Sequence, residues 1–482
     1  MRLKHSTRRD FIGSAAMAAA GFGAMGGCAS PVASAAGGRW YRGQLHTHTF
    51  WSDGLAFPEE AVMWYKSRGY HFLSLTDHNQ FQRNPNRWSR VFSEDGETPD
   101  GKKKRKKRGS LTEKHFNRYL KAFPDAEVRT GEDGVRQVRL KTFEELSAKF
   151  ERSGEFLLMP GMEASRYVKH ADGAVRYLHM NYINLPGLLD SYRQKGLREE
   201  IADRTVEKAI ADHFAETETL AGRFARNHLF ILNHPLWVWY DIPPLALVEN
   251  HQVRFFELCN SGSNYEPPQG VPADGFDGDR FWDVVNAFRA RRGQPLLYGV
   301  GTDDTHYYHG EPYHMGLPGD AWVSVRSDSL DADSLIGAME RGDFVACAGL
   351  EVDDVVFDAV RGTLEVFVAA KPGKRRTVRF IVTKKDFSEV PVKTIDVVPS
   401  KPTADKVRLR RKMEIYDSRI GMVAKTMEGG VGEALRASYS MKNDDLYVRA
   451  RIEEDGTPVC PVHLHPKRLV AWTQPFVIEC GG

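Results

Sequence analysis

Cysteine is scarce in this 482-residue chain, with only Cys28, Cys259, Cys347, Cys460 and Cys480. No two of them form a CxxC arm, which excludes a zinc-finger type of site, and their spacing is too sparse for a dense disulfide framework. For Cys460 and Cys480, a disulfide in an oxidising compartment and a pair of buried thiols both remain open. An excess of one charge is also missing: 67 Lys and Arg face 64 Asp and Glu, a formal net charge of +3. The chain as a whole therefore has no electrostatic bias toward nucleic acid or membranes, and no nucleic-acid partner is expected. Long apolar runs are lacking too. The Ala/Gly/Met-rich stretch that ends near Ala29 is interrupted by glycines, so a permanent membrane span is not expected.

What the chain does contain is an ordered series of metal-binding side chains. Seven short stretches carry them: His46-Thr-His48, Ser52-Asp53-Gly54, Asp77-His78-Asn79, Gly161-Met162-Glu163, His179-Met-Asn181, Asn233-His234-Pro235 and Asp304-Thr-His306. In an extended strand, residues two apart point the same way, so His46 and His48 can present both imidazoles to one ion. One such pair among 17 histidines is a weak signal. The later stretches strengthen it, because apolar runs of strand type precede them: His71 to Leu75, Phe156 to Met159, Leu229 to Leu232 and Leu296 to Val300. Strands that end in ligands, with helical segments between them, are how a β/α barrel builds a site at its C-terminal face.

The order HTHT, SDG, LTDHN, PGMEAS, HMNYI, NHP and GTDDTH resembles the PHP superfamily, named for polymerase-associated and histidinol-phosphatase domains, over roughly residues 39 to 350. The resemblance implies a distorted, TIM-like (β/α)7 barrel and two or three divalent ions, with Zn, Mn and Fe all compatible with mixed imidazole and carboxylate ligands. By this resemblance His46, His48, Glu163 and Asp304 hold one ion. Glu163 bridges to a second ion bound by His179 and His234, and Asp53, His78 and His306 hold a third. Many members have histidine where this chain has Asp53. Asp303 competes with Asp304 for the ligand role, and the D-x-H spacing favours Asp304. Candidate catalytic or supporting groups are Asp77, Asp303 and Arg166, the last because a guanidinium fork matches phosphate or carboxylate. Glu257, at the end of an apolar run, is a supporting carboxylate.

The N-terminus bears on location. Ser6-Thr7-Arg8-Arg9-Asp10-Phe11-Ile12 resembles the twin-arginine export motif, so residues 1–36 read as a signal peptide handled by the twin-arginine translocase. Ala33-Ser34-Ala35 offers ordinary cleavage, the expected route. Met25-Gly26-Gly27-Cys28 loosely resembles a lipobox, which makes a lipid anchor at Cys28 the alternative. A periplasmic or secreted protein follows. About 445 residues then remain, enough for two or three domains.

Residues 39–350 read as the barrel, with a polar insertion at about 80–137 that carries the basic run Lys102 to Arg108, expected as a solvated loop. Helices are expected at 58–68, 142–152, 202–217, 281–291 and 331–341, and loops at 237–250 and 260–279. Each crossover helix is expected to leave neighbouring strands parallel. Residues 351–482 alternate strands and turns, which reads as a C-terminal antiparallel β-sandwich-like domain. Its ending, Leu446-Tyr-Val-Arg-Ala-Arg and Ala471-Trp472-Thr-Gln-Pro475, resembles the appendage of exported PHP proteins related to carbaryl hydrolase.

Three functional classes follow. The first is a metal-dependent hydrolase, foremost a phosphoesterase acting on a small phosphorylated ester: two or three ions lower the pKa of a bridging water and clamp the oxygens of a phosphoryl centre for in-line attack, with no covalent nucleophile required. The second is a carboxylester or carbamate hydrolase acting on an aromatic substrate, suggested by the appendage and by Trp237, Trp239 and Tyr240. The third is a non-catalytic exported metal-binding protein.

Overall fold

A computed structural model describes residues 37–93, 109–169, 175–190, 200–202, 205–237, 242–260, 277–310, 316–397, 411–455 and 469–478. The export segment, the basic run at 102–108, Trp239, Tyr240, Cys460 and Cys480 lie outside them.

The protein is a mixed α/β structure built on one large sheet of 14 strands. These strands are β1 (Arg39–Gln44), β2 (Phe72–Leu75), β3 (Leu157–Lys169), β4 (Val175–Ile183), β5 (Glu200–Ala202), β6 (Leu229–Leu232), β7 (Phe255–Asn260), β8 (Tyr298–Thr302), β9 (Ala321–Ser327), β10 (Phe344–Ala348), β11 (Arg376–Lys384), β12 (Met422–Glu428), β13 (Asp445–Glu454) and β14 (Leu469–Thr473). Their hydrogen-bonded order is β8-β7-β6-β4-β3-β2-β1-β9-β10-β14-β13-β11-β12, with β5 paired to β3 off this path. The helices are α1 (Pro58–Lys66), α2 (Glu113–Ala122), α3 (Phe143–Phe150), α4 (Val206–Arg223), α5 (Pro244–Glu249), α6 (Gly278–Arg291) and α7 (Ala332–Glu340).

The short apolar runs FLSL and LFIL are buried along their whole length. That is the pattern of strands covered on both faces. Strand β1 pairs in parallel with β2, β2 with β3, β6 with β7, and β7 with β8. The expectation of parallel neighbours throughout fails at β9, which runs antiparallel to β1 and, although helix α7 lies between them in sequence, antiparallel to β10. It fails also at β4, which forms an antiparallel hairpin with β3 and pairs antiparallel with β6 as well. The five residues between β3 and β4 are too few for a crossover helix.

Two further expectations change. Part of 237–250 is helix α5, started by Pro244 at its first turn after Pro243, where a missing N–H costs nothing. The insertion is not all loop either: Trp88–Arg90, Val128–Thr130 and Arg136–Arg139 form a three-stranded antiparallel sheet beside α2. The ring of Phe57, just before α1, stacks on Tyr119 of α2 at 3.6 Å and anchors this unit to the first crossover.

The C-terminal strands continue the large sheet without a break, since β14 pairs antiparallel with both β10 and β13. A separate three-stranded sheet, Asp354–Asp358, Thr363–Val368 and Leu435–Ser440, lies beside them. One apolar cluster gathers Tyr41, Phe72, Met159, Ile231, Phe255, Val300, Val323 and Phe344, contributed by strands from β1 to β10, and closes on α7 through Leu335 and Met339. Strand β8 ends one side of the hydrogen-bonded path, yet its Gly301 packs against the carbonyls of Trp322 and Cys347 in β9 and β10. A Cβ there would lie 2.7 and 2.8 Å from those oxygens, so the close approach requires glycine. The Gln474 amide adds a strand-like pairing, accepting from Gly299 N and donating to Gly299 O, each at 3.0 Å.

Candidate metal centre

The centre begins where β1 runs out. The Gln44 Oε1 accepts from Leu45 N, His46 N and Asp303 N, and its Nε2 donates to Ala321 O at 2.9 Å, tying the ends of β1, β8 and β9 together. Beyond it His48 N donates to Thr305 O at 2.8 Å, and isolated parallel bridges link Thr47 to Thr305 and His78 to Glu163. These bonds bring the His46-Thr-His48, Asp77-His78 and Asp304-Thr-His306 stretches to one place. Gly54 shapes the next turn: a Cβ there would lie 2.4 Å from the His48 carbonyl, so only glycine lets this loop fold back to deliver Asp53.

Three groups of side chains then have ligand atoms within 4.8 Å of one another: His46, His48, Glu163 and Asp304; His78, Glu163 and His179; and His48, Asp53, His78 and His306. Glu163 is the hub. Its Oε2 lies 2.8 Å from His78 Nδ1, 3.3 Å from His48 Nε2 and 3.4 Å from His46 Nε2, and makes no well-formed hydrogen bond. Its Oε1 lies 2.8 Å from His179 Nδ1 and 3.5 Å from His234 Nε2. Asp304 Oδ1 is 3.0 Å from His48 Nε2 and 3.3 Å from His46 Nε2, while His306 Nε2 is 3.1 Å from Asp53 Oδ1.

All nine sequence-predicted ligands thus meet here, with one difference in grouping. His78 faces the Glu163 and Ser165 side through Nδ1, whereas its Nε2 is 3.7 Å from Asp53, so it stands between two groups rather than with Asp53 and His306 alone. Two ligands also arrive differently from the strand-end pattern. Glu163 sits in the middle of the long β3, and His179 lies within antiparallel β4, across from Ser165.

The donor set suits divalent cations. His46 Nδ1 meets Glu257 Oε1 at 2.6 Å, which places that ring's proton toward Glu257 and turns the Nε2 lone pair inward. There it lies 3.1 Å from His48 Nε2, so two imidazole nitrogens converge on one point. Burial disfavours a charged His46, but Asp304, Glu163 and Glu257 outweigh it and hold its pKa well above the usual value. His48, equally buried, is pushed up to about 10 by Asp304 and Glu163. Burial would raise Glu163 and Asp304, yet the surrounding imidazoles hold both carboxyls well below their usual range. For His179 burial wins over Glu163 and draws the pKa down to about 4. The carboxylates are placed to face positive charge, and a divalent ion supplies it without a proton on the ligand nitrogens.

The remaining sequence-predicted groups divide. Asp77 is fully buried and accepts from Thr49 N, Thr49 Oγ1, Ser52 Oγ and Gln82 Nε2 at 2.7–3.0 Å. Through Ser52, 3.4 Å from His48 Nδ1, it supports His48 rather than its neighbour His78. Asp303 accepts from Tyr65 Oη and from the backbone of Gly319, Asp320 and Ala321 at 2.7–2.9 Å, while burial, reinforced by Asp320, lifts its pKa to about 7. It anchors a loop and leaves the cluster to Asp304. Arg166 is buried, but strand alternation sets it with Ala164 and Val168 on the face of β3 opposite Glu163 and Ser165. The structure does not bring it to the ligands.

Asn233, Asn181 and Ser165 are supporting groups with no assigned role in the sequence reading. Asn233 Nδ2 donates to Glu163 Oε1 and to Asn181 Oδ1, both at 2.9 Å, and Asn181 Nδ2 donates to Leu45 O. Ser165 Oγ lies 2.7 Å from His78 Nδ1. Its position two residues beyond Glu163 in a strand was the available signal, since period two puts both on one face. The indole of Trp237 stacks on His234 at 4.3 Å and 15°.

No protein-family model matches the chain, and no curated protein matches it. Solved structures give three likenesses, each at 13% identity. A two-domain protein from Bacteroides vulgatus containing a predicted PHP-like metal-dependent phosphoesterase aligns over 91% of this chain and 96% of its own, with a TM-score of 0.35. A candidate metal-dependent phosphoesterase from Bifidobacterium adolescentis covers 62% and 96% with a TM-score of 0.27. An amidohydrolase from Chromobacterium violaceum, with bound sulfate and no metal, covers 57% and 92% with a TM-score of 0.25. Likenesses this distant leave activity to be argued from the site itself.

Proposed function

We propose that this chain is a metal-dependent hydrolase of phosphate esters, exported by the twin-arginine route, whose ligand strands curl into a distorted barrel over residues 39–350, with residues 351–482 as a C-terminal β-domain. The observation that carries the reading is Glu163: one carboxylate oxygen faces His46, His48 and His78, the other His179 and His234, the disposition a ligand bridging two cations needs. The curl draws on the apolar cluster shared from β1 to β10 and on the approach of Gly301 to β9 and β10.

In this reading His46, His48, Glu163 and Asp304 would hold one ion and Glu163, His179 and His234 a second, while Asp53 and His306 would hold a third with a share of His78. Bound Zn, Mn or Fe would supply Lewis acidity and an acidified water for in-line attack at phosphorus. The chain's own part is to hold the ligands in place. Glu257 fixes His46, Asp77 acts through Ser52 on His48, and Asn233 with Asn181 fixes Glu163. A second reading, carboxylester or carbamate hydrolysis, draws on Trp237, whose indole gives an aromatic substrate a surface beside His234.

The test is hydrolysis of p-nitrophenyl phosphate, bis-p-nitrophenyl phosphate and p-nitrophenyl acetate by protein purified with its native metal, with His46→Ala as control. Metal-dependent turnover of a phosphate ester supports the first reading. Turnover of acetate alone transfers the assignment to the second.

A further inference from the structure

A cleft of about 430 Å³ opens beside the centre, within the size range of small-molecule sites. Its walls come from chain segments that leave three ligand-bearing stretches. Trp51 belongs to the loop between His48 and Asp53; Asn79, Phe81 and Arg87 follow His78; Leu188 follows the strand of His179. Asn79 joins cleft to centre, because it follows His78 directly and its Oδ1 accepts from Ser165 N at 2.8 Å, the residue whose hydroxyl touches His78. Asn79 holds a left-handed backbone, φ 54°, which is costly for a non-glycine residue and is fixed here by that bond and by Asn79 N donating to Glu163 O.

The cleft has two chemical characters. Half-buried Leu188 and the edge of Phe81 offer apolar surface, Trp51 itself being almost fully buried, and two guanidiniums reach the edge of the cleft. Arg83 is already committed, its Nε 3.0 Å from Glu144 and its Nη1 bonded to the carbonyl of Pro186. Arg87 differs: it is exposed, and among the described residues its guanidinium meets no carboxylate. Its backbone is nonetheless fixed, donating to Asn84 O at 3.2 Å and accepting from Leu140 N at 2.9 Å.

We infer that this cleft is the specificity subsite of the enzyme, that it takes an apolar, ring-sized portion of the substrate, and that Arg87 binds a second anionic group, carboxylate or phosphate, carried on that portion. The inference rests on the phosphoesterase reading for what happens at the centre, but the cleft's ligand chemistry is argued from the cleft alone.

The experiment compares phenyl phosphate with 4-carboxyphenyl phosphate, 4′-carboxybiphenyl phosphate and hydroquinone bisphosphate, on the metal-loaded full chain and on Arg87→Gln and Arg87→Lys. The expected result is a KM at least about tenfold lower for a doubly anionic substrate than for phenyl phosphate. Arg87→Gln abolishes that difference, Arg87→Lys retains part of it, and kcat/KM for phenyl phosphate stays within about twofold in both variants. The carboxylated and bisphosphate arms show which anion is taken. No preference in the wild type, or a preference that survives in Arg87→Gln, overturns the subsite. Binding of phenylphosphonate and 4-carboxyphenylphosphonate, which contain no ester to cleave, is measured in parallel. Arg87-dependent binding of the carboxylated phosphonate without hydrolysis of any phosphate ester supports the subsite and overturns the phosphoesterase reading; hydrolysis without preference does the reverse.

Discussion

Replacing Glu257 by glutamine changes one oxygen to nitrogen in a side chain argued to touch no ion itself, which isolates its positioning role. The carboxylate accepts four hydrogen bonds: from His46 at 2.6 Å, Thr302 Oγ1 at 2.7 Å, His234 N at 2.8 Å and Asn260 Nδ2 at 2.9 Å. A glutamine amide has a single accepting oxygen, so whichever way it turns, one edge presents N–H groups to two existing donors. Either His46 loses the partner that keeps its Nε2 lone pair inward, or the backbone N–H of His234 loses its acceptor. Removing the orienting partner of a metal-bound imidazole typically costs about 10- to 100-fold in metal affinity. That is about 1.4–2.8 kcal/mol at 1.4 kcal/mol per decade, in line with the roughly 1.5–3 kcal/mol of one charge-assisted hydrogen bond. The assay is zinc affinity by competition with a chromophoric chelator on Glu257→Gln and wild type, with circular dichroism to establish that both are folded. An affinity within twofold of wild type in a folded variant would refute the assignment of Glu257 as the group that holds both His46 and His234 in place.

Asp303→Asn and Asp304→Asn separate two adjacent carboxylates. The first leaves backbone donors at Gly319, Asp320 and Ala321 short of acceptors and should lower unfolding free energy by about 2–4 kcal/mol with metal content retained; the second should cut bound metal severalfold in a folded protein, and the reverse pattern would exchange their roles. Trp237→Ala removes the stack on His234, worth roughly 0.5–1.5 kcal/mol, so metal affinity should fall about two- to twelvefold, and equal affinity would show the indole to be idle toward the candidate ligand. The pH dependence has a definite sign in metal-free protein. His48 is raised to about 10 in the fold against about 6.5 unfolded, so its contribution is fully present below pH 6.5 and is lost as pH rises toward 10. Thermal scans in chelator should therefore show Tm falling from pH 7 to 9.5 more steeply than in metal-saturated protein, where the nitrogen carries no proton to lose; parallel profiles would contradict the proton-for-metal exchange.

Several candidate ligands were legible in sequence because they follow a strand-forming run whose burial is visible in its composition, whereas Asp53 is delivered by a loop and Glu163 lies in mid-strand. Leu229–Leu232 announces Asn233 and His234 without help from tertiary contacts. What composition could not carry was strand direction. Val175–Ile183 alternates as well antiparallel as parallel, and only the short link from β3 forces the hairpin that puts His179 opposite Ser165. Arg166 illustrates the same limit: three residues from Glu163 is close in sequence, but three is odd, and in a strand an odd separation means opposite faces. The role of Gln44 was also out of reach, since it bonds Ala321 more than 200 positions away, and while Glu257 was read as a supporting carboxylate, nothing in the sequence named His46, 211 positions away, as its partner.

Backbone strain marks the same place independently of side-chain chemistry. Among the described residues, non-glycine residues with positive φ are Asn79, Asn184, Ala225, His234 and Asp304. Two of these are candidate ligands and a third adjoins His78. A left-handed conformation costs on the order of 1–3 kcal/mol for such residues and persists where the surroundings over-determine it. At His234 the determinant is Glu257 accepting its backbone N–H at 2.8 Å, and at Asn79 it is the pair of bonds to β3. The strained residues are therefore held by the same carboxylate and strand that hold His46 and Glu163. The placing of the candidate ligands thus rests on hydrogen bonds made within the chain. Loosening the backbone at His234 should therefore weaken the centre even when its imidazole is kept.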